Sequence, residues 1–189
     1  MKRIRVLMIV LTTMSGGLAL RSQQKSGPGE EHRATTQSKA SANLRAKFNA
    51  RWAQDQQRFT KQDLDAIEAL YQEAQKQGVW GTEESVRKLR ILVTMYKSAD
   101  RVGCAYLYLG QLTSGSEREE YLKKAIAEYS DSMYGDGVQV GAYARFLLAF
   151  DYLESGRKEA ADELFKILRA QYPDAVDHSG MPLAPEIPK

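Results

Sequence analysis

The chain predicts an all-α fold of stacked antiparallel helical hairpins, and three observations carry that expectation. No proline interrupts the chain between Gly29 and Tyr172. Over that span apolar residues recur at spacings of three and four, the period of a helix rather than a strand. Glycines at 78 and 81, 115, 135 and 137, and 156 divide the span into helix-sized pieces.

Residues 1–19 read as an export signal. Lys2, Arg3 and Arg5 precede an apolar run from Val6 to Leu11, and Gly17-Leu18-Ala19 offers a small-x-small cleavage site. A membrane-spanning helix needs about 20 predominantly apolar residues, and Thr12, Thr13, Ser15, Gly16 and Gly17 interrupt this one. Export places the protein in a periplasm or outside the cell if the source is bacterial. Residues 20–42 are rich in Ser, Gln and Thr and poor in apolar residues, and read as a flexible linker.

The helical body follows. A first helix over 43–59 carries Leu44, Phe48 and Trp52 on one stripe and is expected to cap the stack. Thr60, with Asp63 three residues on, has the capping-box pattern for a second helix bearing Leu64, Ile67, Leu70, Tyr71 and Ala74. Thr82 caps a third with Val86, Leu89, Leu92, Val93 and Tyr96. Asp100 is expected to cap a fourth with Ala105, Tyr106, Leu109 and Leu112. Ser116-Glu117-Arg118-Glu119 reads as a capping box for a fifth with Tyr121, Leu122, Ala125, Ile126 and Tyr129. A sixth is expected over 138–154 and a seventh over 158–172, where Pro173 stops it. Helices this short are not stable alone, and tight connections force neighbours antiparallel, so stacking must stabilise them. Residues 176–189, with Pro182, Pro185 and Pro188, form a C-terminal tail.

Three of these hairpins end alike: Tyr96-Lys97-Ser98-Ala99, Tyr129-Ser130-Asp131-Ser132 and Tyr172-Pro173-Asp174-Ala175. In the last hairpin Leu148-Ala149, Tyr152, Gly156, Ala161, Phe165, Leu168 and Pro173 fall at the spacing of a tetratricopeptide repeat, a helix–turn–helix unit of about 34 residues. Ile67, Leu70, Tyr71, Ala74, Ser85, Leu89 and Leu92 form a weaker copy, and Tyr106, Leu109, Gly110, Leu122 and Ala125 another. Residues 60–175 thus resemble three tetratricopeptide-like hairpins, of the kind found in exported bacterial envelope proteins. The departure is Arg145, where that family has a large apolar residue. The resemblance implies a short right-handed solenoid whose first helices line a concave groove for peptides or partner segments.

Carried over by position, the groove residues are Asp65, Glu68, Gln72 and Gln75 in the first hairpin and Leu107 and Gln111 in the second. In the third they are Tyr143, Phe146, Phe150 and Leu153. The third set is apolar on a face the hairpin itself does not need, so either the chain covers it or a partner does. A second copy of the chain is one such partner.

Other chemistry finds little support. The only histidines, His32 and His178, lie outside the helical body, and Cys104 is the only cysteine. No catalytic residue, metal site or cofactor is expected. Asp174, Asp177 and His178 are too sparse for a metal site, Gly135-Asp136-Gly137 reads as a turn rather than a ligand loop, and Glu83-Glu84 point to different helix faces. The net charge is +3, and loss of Lys2, Arg3 and Arg5 leaves 24 Lys and Arg against 24 Asp and Glu. A neutral chain is a poor nucleic-acid binder. The function expected is a non-catalytic exported scaffold for a protein or peptide segment. The alternatives are an accessory subunit or domain of an envelope enzyme, and peripheral contact with the wall or membrane through the basic stretch from Arg33 to Lys61.

Export predicts that N-terminal sequencing of the protein from its native host begins near Leu20. A chain that retains Met1 in the cytosol contradicts it.

Overall fold

The computed structural model describes the backbone of residues 28–188 and the side chains from Ala42 on, Leu44 excepted. The expected signal at 1–19 and the start of the linker lie outside these residues. Among the described residues there are seven α-helices: α1 Pro28–Arg58, α2 Lys61–Gln75, α3 Glu83–Met95, α4 Asp100–Leu112, α5 Gly115–Glu128, α6 Val140–Glu154 and α7 Lys158–Gln171. A short 3₁₀ turn follows at Ala184–Glu186.

The hairpins are α2–α3, α4–α5 and α6–α7. Each helix packs on the next in sequence, and α2 also touches α4 and α4 touches α6. The first helices therefore form the tighter, inner row of an all-α repeat stack. Caps follow the sequence in α2, where Thr60 and Asp63 form the complete capping box, and in α3, where Thr82 accepts the Ser85 amide. The buried Ser85 hydroxyl donates to the Ala74 carbonyl at 2.7 Å and ties α3 to α2. The central helix α4 is buried nearly all round, from Val102 to Leu107 and at Leu109 and Gly110. That is the pattern of a helix with neighbours on every side. Peripheral α7 buries only Ala161, Phe165 and Leu168.

The repeat is visible in the backbone. At the three hairpin ends the amides of Ala99, Ser132 and Ala175 donate to the carbonyls of Tyr96, Tyr129 and Tyr172 at 2.9, 2.9 and 3.1 Å. After the first end α4 starts at once. After the second a turn closed by the Met133–Gln139 bridge intervenes, and after the third a turn closed by Val176–Pro182. The two turns share their bonding. Tyr134 and Asp177 amides donate to Val138 and Met181, and Val140 and Leu183 amides to Ser132 and Ala175. Residues 176–188 are thus not a loose tail. They repeat the second junction and begin a further helical turn, in which Leu183 and Ile187 are buried as Val140 and Ala144 are. The prolines stop that turn from continuing.

Four sequence expectations need correction. The helix expected over 43–59 begins at Pro28, so part of the expected linker is helical; proline suits the first turn, and the Glu, Ala, Gln and Lys residues after it are good helix formers. Trp52 does not pack as the stripe predicted and is exposed, whereas Asp55 is buried, alone among the described side chains of α1. Asp100 does not cap α4. Ala99 holds the cap position, and Asp55 Oδ2 accepts the Asp100 amide at 2.8 Å, so α1 supplies the cap from outside. The Ser116 box does not form: α5 starts at Gly115, whose φ of +61° turns the chain earlier, and Ser116 falls inside the first turn. Glu119 is then free to pair with Arg157 and Lys123, and the Arg157 guanidinium leads the contacts that hold its carboxyl down to about 2.

Arg145, out of pattern for the family, has a local reason. Its Nη1 donates to the Gly141 carbonyl at 2.7 Å, Ser130 Oγ at 3.0 Å and Tyr172 Oη at 3.3 Å, which ties α6 to the ends of two hairpins.

Two predictions follow from this packing. Leu89 and Phe165 are 0% and 1% exposed, so Leu89→Ala and Phe165→Ala each lower the unfolding free energy by about 2–5 kcal/mol in denaturant titrations; unchanged midpoints contradict the packing register. Burial raises the Asp55 carboxyl above its ordinary 3.8, against the Asp100 amide and Arg58. A raised carboxyl favours the protonated fold, so this group costs stability as pH rises from 3.8 through its folded value. Asp55→Asn keeps an acceptor for the cap, so it flattens that part of the stability–pH profile and is no less stable at pH 7. Asp55→Ala loses the cap and about 0.5–2 kcal/mol.

Candidate binding face

The inner row presents different chemistry at its two ends. On α2 the face is polar and self-satisfied. Glu68 takes the Arg101 guanidinium at 2.8 and 3.2 Å and the Gln72 amide at 2.6 Å. Asp65 pairs with Lys61, and Gln75 accepts the Tyr108 hydroxyl at 3.0 Å. These contacts hold the Glu68 carboxyl below its usual range although burial pushes it up.

On α6 the face is aromatic. Tyr143 and Phe146 stack at 6.2 Å, Phe146 meets Phe150 edge-on at 4.9 Å, and Phe150 meets the core ring of Phe165 at 5.4 Å. All three α6 rings are half-buried, as is Leu153. Leu148, Ala149 and Tyr152, on the other side of the helix, are buried in the hairpin contacts. Tyr143, Phe146, Phe150 and Leu153 thus pack against the core, Phe150 through Phe165 of its own hairpin, and each keeps part of its surface exposed.

Leu107 belongs elsewhere. It is 0% exposed and sits in the core, not on a groove wall, because α4 lies between α2 and α6 and the turn at 133–139 also folds onto it. Gln111 is half-buried, and its Nε2 is buried without a hydrogen-bond partner.

Both junction turns lie against the inner face. Tyr134 is buried there, and its hydroxyl donates to the Cys104 carbonyl at 2.9 Å. The Cys104 thiol lies 3.5 Å from the Met133 carbonyl, and burial pushes it far above the usual thiol range, so it is an inert core group. From the next turn His178 reaches Tyr134, Tyr143 and Tyr108, with ring centroids at 4.6, 5.5 and 6.1 Å. Its Nδ1 lies 2.8 Å from Asp136 Oδ2. Burial pushes the Asp136 carboxyl up, but His178 and the Val138 amide outweigh it and lower it. Burial raises the Tyr108 phenol to about 12 and raises Tyr143 as well, so these tyrosines are neutral donors.

The rings form one run from Trp80, 4.7 Å from Tyr108, through Tyr108, His178, Tyr143, Phe146 and Phe150. Sequence reasoning missed Trp80, Tyr108, Tyr134, Asp136 and His178, which stand on separate turns and helices. Their only sequence signal is the Tyr134-x-x-Gly137 and Asp177-x-x-Gly180 spacing of the two turns.

Glu83 and Glu84 do not converge on a site: Glu83 is exposed, and Glu84 pairs with Arg87 and Lys88. Among the described residues no group of His, Cys, Asp and Glu is placed to hold a metal ion, and no helix is long and apolar enough to cross a membrane. Comparison with known protein families, curated proteins and solved structures yields no match.

Proposed function

We propose that this chain is an exported, non-catalytic scaffold of tetratricopeptide type that binds a protein or peptide segment along the aromatic end of its inner face. The observation that supports this most is the half-buried run of rings Tyr143, Phe146 and Phe150 on α6. Aromatic rings held rigidly at low entropy cost are the side chains that dominate protein recognition. The converging ionisable groups that a hydrolase needs are met instead by ion pairs within the stack, as at Glu68, Asp151 and Glu119.

The test is affinity capture from native envelope extract with wild-type and variant chains. Phe146 touches only Tyr143 and Phe150 among aromatic rings, so Phe146→Ala should preserve the helical circular-dichroism signal. It should weaken capture by about 2 kcal/mol, or some thirtyfold. Phe150→Ala should weaken capture and lower stability too, because Phe150 also supports Phe165. Equal capture by wild type and Phe146→Ala moves the binding surface elsewhere. Unfolding of Phe146→Ala makes the face core.

A further inference from the structure

We infer that Tyr108, Tyr134, Tyr143 and Asp136 form a subsite for a cationic side chain of the bound segment, and that His178 occupies it as a built-in stand-in. The inference rests on the reading of the inner face as a binding face and adds the chemistry of one position along it.

The subsite is assembled from α4, α6 and the turn at 133–139. Three tyrosine rings surround one imidazole, which stands nearly perpendicular to two of them, at 89° to Tyr134 and 85° to Tyr143. The electron-rich faces of tyrosine attract cations within about 6 Å of the ring centroid. Asp136 adds a carboxylate at 2.8 Å from Nδ1. An aromatic enclosure with one acid at its rim suits an arginine, lysine or histidine, and a neutral apolar group leaves the acid without a partner.

Neighbouring charges do not cancel this bias. Arg118 is committed to Asp151 at 2.6 Å and to the Gly110 carbonyl at 2.7 Å. Arg101 is committed to Glu68 and lies over the Tyr71 ring at 4.4 Å. Asp177 is turned into its own loop, where Oδ1 accepts from the Ser179 amide and hydroxyl and from the Met181 amide. Asp136 is the acid left facing the rings, and His178 is its partner.

The occupant is built to be displaced. The His178 side chain remains 32% exposed, and Ser179, Gly180 and Met181 at the tip of its turn are exposed. The buried anchors Ala175, Leu183 and Ile187 flank the turn rather than belong to it. Lifting the tip at 177–181, beyond Val176, which packs on the core, therefore breaks the His178 contacts and leaves the core of the stack in place. A segment with a basic residue at this position and an apolar residue beyond it would replace His178 and continue onto Phe146 and Phe150.

The experiment uses the full chain with labelled tyrosine and histidine rings and follows their NMR shifts. The probes are methylguanidinium and its neutral counterpart methylurea. In His178→Ala, methylguanidinium should shift the rings of Tyr108, Tyr134 and Tyr143 at millimolar concentration. Wild type should need about tenfold more, because His178 competes, and adding Asp136→Asn to His178→Ala should weaken binding about tenfold. In wild type at high probe concentration the His178 ring signal should move to its solvent position, which provides the readout if His178→Ala does not fold. No shift in either protein, equal response to methylurea, or indifference to Asp136→Asn overturns the proposal. The probe needs no partner, so its binding and the capture experiment fail or succeed separately.

Discussion

Everything in this molecule depends on one constraint: no hairpin can bury its apolar faces without the next. The residues that meet this constraint lie at the junctions. Leu89 and Leu92 from α3, Leu107 and Leu109 from α4, and Leu122 from α5 are fully buried, and α4 reaches that state only because α2, α3, α5 and α6 all touch it. Close approach needs small residues at fixed points. A side chain at Gly110 would stand 2.6 Å from Leu122, and one at Gly141 would stand 2.5 Å from the Ser130 carbonyl. The first conflict is with a side chain, but the second is with backbone and cannot relax without separating α6 from the end of α5. Ion pairs from one hairpin to the next, Arg101 to Glu68 and Arg118 to Asp151, are partly shielded and hydrogen-bonded, so they fix the register of the stack as much as they stabilise it.

The inner face follows from that stacking. First helices touch first helices, and the chain covers part of their shared face with its own junction turns. Tyr134 closes the part over α4, and His178 covers the edge of α6. What remains is the aromatic stretch from Tyr143 to Phe150. The polar residues of α2 find partners within α2 and on α4, whereas the exposed edge of the α6 rings has none among the described residues. The proposed site lies where side chains stay partly exposed, and its chemistry is set by which residues the turns bring to it.

The helices and hairpins were legible in the sequence because a strict apolar period has few alternatives. The spacing of Leu148, Ala149, Tyr152, Ala161, Phe165 and Leu168 admits one amphipathic hairpin. Local caps were legible where the chemistry was local, as at Thr60 and Thr82. They failed where a distant residue intervened, since nothing near Asp100 reveals that Asp55 will cap α4. Leu107 was misplaced for a related reason: its position on a first helix was read correctly, but its burial depends on how many neighbours pack around α4, which the period does not describe. The turn at 133–139 and its copy at 176–182 share backbone bonds and one glycine but hardly any side chains, so the repetition was invisible before the fold. The cage around His178 draws on both turns and two helices, and no local pattern could have assembled it.

Hydrogen exchange of the full chain, free and with its captured partner, tests the central claim most directly. If the inner face at α6 is the recognition surface, partner binding slows exchange across residues 143–153 and speeds it in the turn at 176–182, as His178 is displaced. Protection confined to α3, α5 and α7, with α6 and the turn unchanged, would place recognition on the outer row and contradict the account.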